Sequence, residues 1–436
     1  MTSFKFSQHI SYVADKCAKL IFSLSKSAKI HWGLKHETLT TIYNGAILPL
    51  LLYGAPVWID ALKYEFNRRK YNRVQRLMNL LIAKAYRTTS SEALCILAGT
   101  TPIAIKAEEA ARRYDVWKGH GSNTQNIDRE VKINRWPHPA EFENIIETNG
   151  SNDHTIQIYT DGSKGSRGVG AGVAIFSSNN PTARHKFKLH HRCSNNQAEQ
   201  LAILKALELT NHIETADNAP RTIGIYTDSK ITIESLKDAS NHNYLIEEIR
   251  KQLTILRRNN WTIEFSWIKS HAGNPGNELA DRLAKDAASN VNTPVVFDRI
   301  PKTTLYKELE NETIQKWQDQ WDRCNKAAVT KQFFPNVRDR IHRAININPN
   351  FTALVTGHGK TQSYLHRFKI SQTATCPCNM EDQTLHHILY NCPRHKKQRD
   401  SLKLEIIKTG SWPTSYEKLT SIHLKSFITF TKSIDL

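Results

Sequence analysis

The sequence predicts an α/β domain with a mixed, five-stranded sheet in the middle of the chain, flanked by two mainly helical segments. Three observations carry this. From Asp153 to about residue 290, short alternating or apolar runs are interleaved with helical stretches. Outside that span, apolar residues recur at helical spacing. The positive charge sits in the flanks, with 18 basic against 8 acidic residues in 1–118 and 22 against 13 in 291–436, but 17 against 15 in 153–290.

At 436 residues the chain has room for two to four domains. A net charge of +19, a pI near 9.5 and a mean hydropathy of −0.52, with 39 % hydrophobic residues, exclude a disordered tail and a membrane protein. The longest apolar stretch, Ala46 to Ala55, contains Pro49 and Gly54 and falls short of a membrane span. The first thirty residues lack a secretory pattern, and seven cysteines make a poor disulfide framework, so a nuclear or cytoplasmic location is expected. Basic flanks favour a polyanionic partner such as nucleic acid, against a plainly solvated surface.

Taken in order, Ala14 to Ala28 is helical, and Tyr71 to Tyr86 places Val74, Leu77, Leu81 and Ala85 on one face and Arg73, Arg76 and Lys84 on another. Residues 119–152 have the Gly, Pro and Asn content of a linker. Strands are expected at Thr155–Thr160, Val169–Phe176, Ala183–Leu189, Thr222–Thr227 and Thr262–Ile268, with helices at 195–213, 229–238, 244–258 and 276–288. Beyond Pro294 the chain turns helical again and ends in a Cys/His cluster and basic residues.

The tetrad Ile-Tyr-Thr-Asp occurs twice, ending at Asp161 and Asp228, each time closing a strand. One such Asp is ordinarily a cap or turn residue; two on matching strands point to a site at the strand ends. Glu199 lies on a helix that is apolar nearly all round and carries no cation on its face, so a metal ion is the economical counter-charge. Asp281 is a fourth carboxylate, in a polar stripe with Glu278 and Lys285.

Tyr159-Thr-Asp-Gly-Ser163, Ser194-Asn-Asn-Gln-Ala-Glu199, Ile225-Tyr-Thr-Asp-Ser229 and the run Trp267 to Asp281 resemble the four signature blocks of type 1 ribonuclease H, with the carboxylates 38, 29 and 53 positions apart. The resemblance implies hydrolysis of the RNA strand of an RNA/DNA hybrid by Asp161, Glu199, Asp228 and Asp281 holding two Mg²⁺ ions, which Mn²⁺ can replace. It implies a supporting role for His271 in proton transfer or product departure, and hybrid contacts for Asn195 and Asn196, which are otherwise a helix N-cap pair. Arg250, Lys251, Arg257, Arg258 and Trp261 correspond loosely to the family's basic protrusion.

Ile42 to Trp58, Arg73 to Arg76 and Ile82 to Thr89 resemble the thumb of non-LTR retrotransposon reverse transcriptases, with Arg73, Arg76 and Lys84 as backbone contacts. No Asp-Asp dipeptide is present, so the chain reads as a C-terminal piece of such a polyprotein that does not polymerise DNA and has a separate palm as a candidate partner. Cys376, Cys378, His387 and Cys392 offer a structural Zn²⁺ site, with His386 as an alternative to His387; buried thiols and surface histidines are the plainer reading. The spacing is similar to the Cys/His motif that follows the polymerase in that family. The expected organisation is a thumb-like 1–118, a linker 119–152, a ribonuclease H domain 153–290 and a basic region 291–436. Two functional classes remain, a metal-dependent hybrid endonuclease and a non-cleaving nucleic-acid-binding remnant.

Overall fold

The structure, a computed structural model, describes residues 6–118, 126–132, 145–148, 154–178, 180–213, 221–270 and 272–435. It resolves into two units, Asp115–Glu308 and a second built from Met1–Tyr114 with Leu309–Leu436.

The N-terminal part of the second unit contains helices α1 (Ser7–Ser25), α2 (His36–Ile42), α3 (Leu48–Leu52), α4 (Ala55–Trp58), α5 (Glu65–Ile82), α6 (Ser91–Ala98) and α7 (Ile103–Lys118). α5 buries Tyr71, Val74, Gln75, Met78 and Ile82, one row at spacings of three and four. The row expected through Leu77 and Leu81 instead lines an open groove against α1, so the true core face is rotated toward Tyr71 and Met78. Ser90 caps α6 by accepting from Ala93 N–H at 3.2 Å, and Gly99 ends it in the left-handed conformation at φ 66°. Among the described residues no single helix is long and apolar enough to cross a membrane; the nearest case is a helix pair, His36–Leu52 and Ala55–Lys63, bent by 47°.

The other unit is α/β. Its strands are β1 (Ile127–Asp128), β2 (Ile146–Thr148), β3 (Ile156–Gly165), β4 (Gly168–Ser177), β5 (Asn180–Leu189), β6 (Thr222–Thr227), β7 (Thr262–Trp267), β8 (Val295–Phe297) and β9 (Ile300–Pro301). The main sheet has the order β2-β7-β6-β3-β4-β5-β8. β3, β4 and β5 form an antiparallel meander; β6, β7 and β2 run parallel to β3, β8 runs parallel to β5, and β1 pairs with β9 separately. The five expected strands are its long members. β2 and β8 extend both edges and lie outside the expected domain, β2 within the span read as a linker. Elements of three residues pair through their backbones and carry no alternation for a sequence to show.

Helices α8 (Asn195–Thr210), α9 (Lys230–Lys237), α10 (Tyr244–Arg258) and α11 (Pro275–Ser289) cover the sheet. Ile158, Val173, Ile223, Ile225 and Phe265 pack with Leu201, Leu204 and Ile249 on one face, and Tyr159, Ala174 and Tyr226 pack with Ala280 of α11 on the other. Strand alternation divides the two cores.

α12 (Lys302–Arg323) leads into the C-terminal residues, whose short helices complete the first-described helical unit. Leu94, Ile96 and Leu97 of α6 share one core with Trp317, Trp321, Phe333, Phe351 and Phe427, and the buried Arg340 donates to the carbonyl of Leu97. The two flanks drawn separately from sequence are therefore one unit. Contacts between residues more than two hundred positions apart leave no local pattern.

Candidate active site

The repeated tetrad is explained by strand register. In the parallel pair β3 and β6, Ile158 faces Ile225, Tyr159 faces Tyr226 and Thr160 faces Thr227. Asp161 and Asp228 follow side by side, and the two tyrosines stack beneath them with ring centroids 4.8 Å apart. Asp161 Oδ1 accepts from the N–H of Gly162 at 2.9 Å.

Two close approaches bring the helices in. A Cβ on Gly162 would lie 2.5 Å from the backbone nitrogen of Glu199, and one on Gly172, which pairs with Asp161 across β4, would lie 2.1 Å from the carbonyl oxygen of Ala280. Glycine at these positions lets α8 and α11 rest directly on the strands that carry Asp161. Ligand atoms of Asp161, Glu199 and Asp228 fall within 4.8 Å of one another. Asp281 on α11 lies near enough to raise the Asp161 carboxyl through its charge, and it accepts from Lys285 Nζ at 2.6 Å. Asp161 and Glu199 are each only 6 % exposed.

Burial, reinforced by the charges of Asp228 and Asp281, pushes the Asp161 carboxyl up to about 8; burial, reinforced by Asp161 and Asp228, pushes Glu199 up to about 9. Glu199 Oε1 takes one long bond, 3.4 Å, from Asn195, and Oε2 is buried with no hydrogen-bond partner among the described residues. Three crowded carboxylates, one of them with an orphaned Glu199 oxygen, form a hard, all-oxygen donor set. That chemistry fits a divalent cation such as Mg²⁺ or Mn²⁺.

Residues 153–289 match the family model described as RNase H. That stretch is an RNase H domain. A retrovirus-related Pol polyprotein from type-1 retrotransposable element R1 4 of Nasonia vitripennis is 35 % identical over 121 residues, covering 28 % of this chain and 30 % of its own length. The chain thus spans under a third of that relative. A ribonuclease H of Chromobacterium violaceum is 28 % identical over 149 residues, covering 31 % of this chain and 96 % of its own. The RNase H1 structure from Halobacterium salinarum is 23 % identical with a TM-score of 0.25, covering 30 % of this chain and 96 % of that one.

Within the RNase H domain, the N-cap of α8 is Ser194 rather than either asparagine. Ser194 Oγ accepts from Gln197 N–H at 3.2 Å, and Gln197 Oε1 accepts from Ser194 N–H at 2.9 Å. Asn195 and Asn196 are left exposed on the first helical turn, beside Glu199. His271 lies outside the described residues. Arg250 is tied to the carbonyls of Asn241, Ser235, Leu236 and Asp238, and Arg76 to Ser91 Oγ and the Arg87 carbonyl, so both brace their own folds. Lys285 as the partner of Asp281 and Trp267, which donates from Nε1 to the Asp228 carbonyl at 3.1 Å, belong to the site's surroundings. Their signals in the sequence were the i, i+4 spacing of Lys285 and the position of Trp267 at the end of a strand.

In the helical unit, Cys376, Cys378, His387 and Cys392 offer ligand atoms within 4.8 Å of one another. A tight turn, with Asn379 at φ 61° and Cys376 N–H donating to the Glu381 carbonyl at 2.8 Å, makes the close Cys-Pro-Cys spacing workable. Cys376 and Cys392 sulfurs are 3.7 Å apart, and Cys378 Sγ is 3.2 Å from His387 Nε2. His387 Nδ1 meets Glu381 Oε2 at 3.1 Å, the outer carboxylate that commonly orients a ligating histidine. His387 is buried, whereas His386 is exposed against Tyr390, so the geometry selects His387.

Proposed function

We propose that the RNase H domain is a type 1 ribonuclease H, a metal-dependent endonuclease that hydrolyses the RNA strand of RNA/DNA hybrids, in a chain of retrotransposon origin. The observation that carries this is the convergence of Asp161, Glu199 and Asp228 within 4.8 Å, with a buried, unpaired Glu199 oxygen among them. These three, joined by Asp281, would hold Mg²⁺ or Mn²⁺, and the bound ions would activate the attacking water and stabilise charge on the leaving 3′ oxygen.

The chain's own residues do the rest. The glycine contacts hold Glu199 and Asp281 against the strand of Asp161, so the carboxylates are set before substrate arrives. Asn195 and Asn196 present amides that can contact sugars and base edges in a hybrid's minor groove, where the 2′-OH marks the RNA strand. His271 is assigned proton transfer or product departure. Cys376, Cys378, His387 and Cys392 are assigned a structural Zn²⁺, a soft-ligand set of the usual size for that ion. The thumb-like resemblance of residues 42–89 makes a reverse transcriptase palm a candidate partner, and co-purification with one is the test.

The deciding experiment is cleavage of an end-labelled RNA strand within a hybrid, in Mg²⁺ and in Mn²⁺, for the wild type beside Asp161→Asn. Duplex RNA and duplex DNA serve as controls. The expected result is hybrid-selective cutting that the substitution abolishes. Hybrid binding without cutting in either metal would establish the non-cleaving remnant instead.

A further inference from the structure

The first turn of α8 is held from outside the RNase H stretch of 153–289. The Gln197 side chain is divided between two tasks. Its oxygen closes the capping box with Ser194, and its Nε2 donates to Asp128 Oδ2 at 2.7 Å and to the Arg299 carbonyl at 3.0 Å. Asp128 and Arg299 belong to the short β1 and β9 region, a parallel pair closed by Ile300 N–H donating to the Asn126 carbonyl at 2.6 Å and by Asn126 Nδ2 donating to Asp298 Oδ2 at 2.8 Å. The same strap holds the residue before the cap, because Cys193 Sγ lies 3.5 Å from the Arg299 carbonyl. It is anchored in turn where the Arg299 guanidinium sits 3.5 Å above the ring of Tyr244 on α10.

Gln197 is 4 % exposed, so its amide has no water to fall back on. With both ends of the amide engaged, its rotamer is locked, and with it the turn that carries Asn195, Asn196 and Glu199. We propose that the β1–β9 strap, through Asp128, is a positioning element for this turn, and that Asp128 thereby sets how tightly the domain holds a hybrid. The second clause rests on the ribonuclease H reading; the first does not.

The test uses the full chain with Asp128→Ala and Asp128→Asn, the latter keeping an acceptor for Gln197 Nε2. Amide hydrogen exchange across 194–199, without nucleic acid, reads the positioning directly. KM and kcat on a hybrid read its consequence. Losing the cap's support is expected to speed exchange in this turn about three- to tenfold and to raise KM by a similar factor, with kcat falling as well because Glu199 rides on the same turn, while Asp128→Asn stays near the wild type. Gln197→Ala should reproduce the exchange effect, and adding Asp128→Ala to it should change nothing more. Unchanged exchange in Asp128→Ala, or equal loss in Asp128→Asn, would overturn the strap's role. So would faster exchange spread over the whole unit. A wild type that neither binds nor cuts hybrids would sink the functional reading while leaving the exchange result to judge the strap.

Discussion

Gly162→Ala adds one methyl group at the contact between β3 and α8. The new carbon would stand 2.5 Å from the Glu199 nitrogen and 2.8 Å from the carbonyl carbon of Ala198. Ordinary contact begins near 3.4 Å, so strand and helix must separate by about 0.9 Å at the point where Asp161 and Glu199 converge. Overpacking of this kind costs about 1–3 kcal/mol. At about 2–4 °C per kcal/mol for a unit of 150–250 residues, the melting transition should fall by roughly 2–12 °C. The domain then remains folded at 20 °C, and activity can be read separately from stability. A displacement of about 1 Å within a reacting constellation costs on the order of a hundredfold in rate. The assay is single-turnover hybrid cleavage at 20 °C in saturating Mg²⁺, with calorimetric Mn²⁺ binding beside it. Cleavage and metal affinity within twofold of the wild type would refute the claim that this glycine sets the carboxylate spacing.

Other outcomes follow from the same geometry. Because folding raises the carboxyls of Asp161 and Glu199 above their unfolded values, the unfolded chain loses its protons first as pH climbs from about 4 toward 8–9. In a chelator, stability should therefore fall across that range, by up to about 1.4 kcal/mol per pH unit for each group still protonated in the fold. Thermal melts from pH 5 to 8.5 should show the slope, and Glu199→Gln should flatten it; an upward slope in the wild type would contradict the burial argument. Lys285→Ala frees Asp281 of its counter-ion and should lower the Mn²⁺ concentration for half-maximal thermal stabilisation about two- to fivefold. Purified protein should carry one zinc per chain by elemental analysis, and Cys392→Ser should lower the melting transition of the helical unit while the RNase H unit's transition stays in place.

The carboxylates were legible in the sequence because chemistry and register coincide there: a tetrad repeated on neighbouring parallel strands places Asp161 and Asp228 together with no further information. Glu199 was legible from the apolar company it keeps on α8. The supports were not. Asparagine and serine cap helices comparably well, so Ser194 was hidden behind two asparagines, and only the reciprocal bond with Gln197 separates them. Arg76 read as a nucleic-acid backbone contact and Arg250 as part of a basic protrusion because nothing nearby in sequence shows the carbonyls they brace. Gly162 and Gly172 read as turn or strand residues, since the helix backbone that excludes a side chain is brought there by tertiary packing.

A unit completed by both ends of the chain has a temporal consequence. The core around Ile10, Tyr43, Trp58, Tyr71 and Met78 draws on residues up to Ala110 and can form while synthesis continues. The apolar side of α6, with Leu94, Ile96 and Leu97, lacks most of its covering until Trp317 and the aromatic residues after it have been made. At roughly 5–20 residues per second, that surface stays uncovered for about ten seconds or more on the ribosome. The intervening RNase H unit is fully synthesised during this interval. A ribosome that stops early thus releases a nascent chain whose RNase H unit is whole and whose α6 presents a sticky apolar surface, a natural ligand for chaperones.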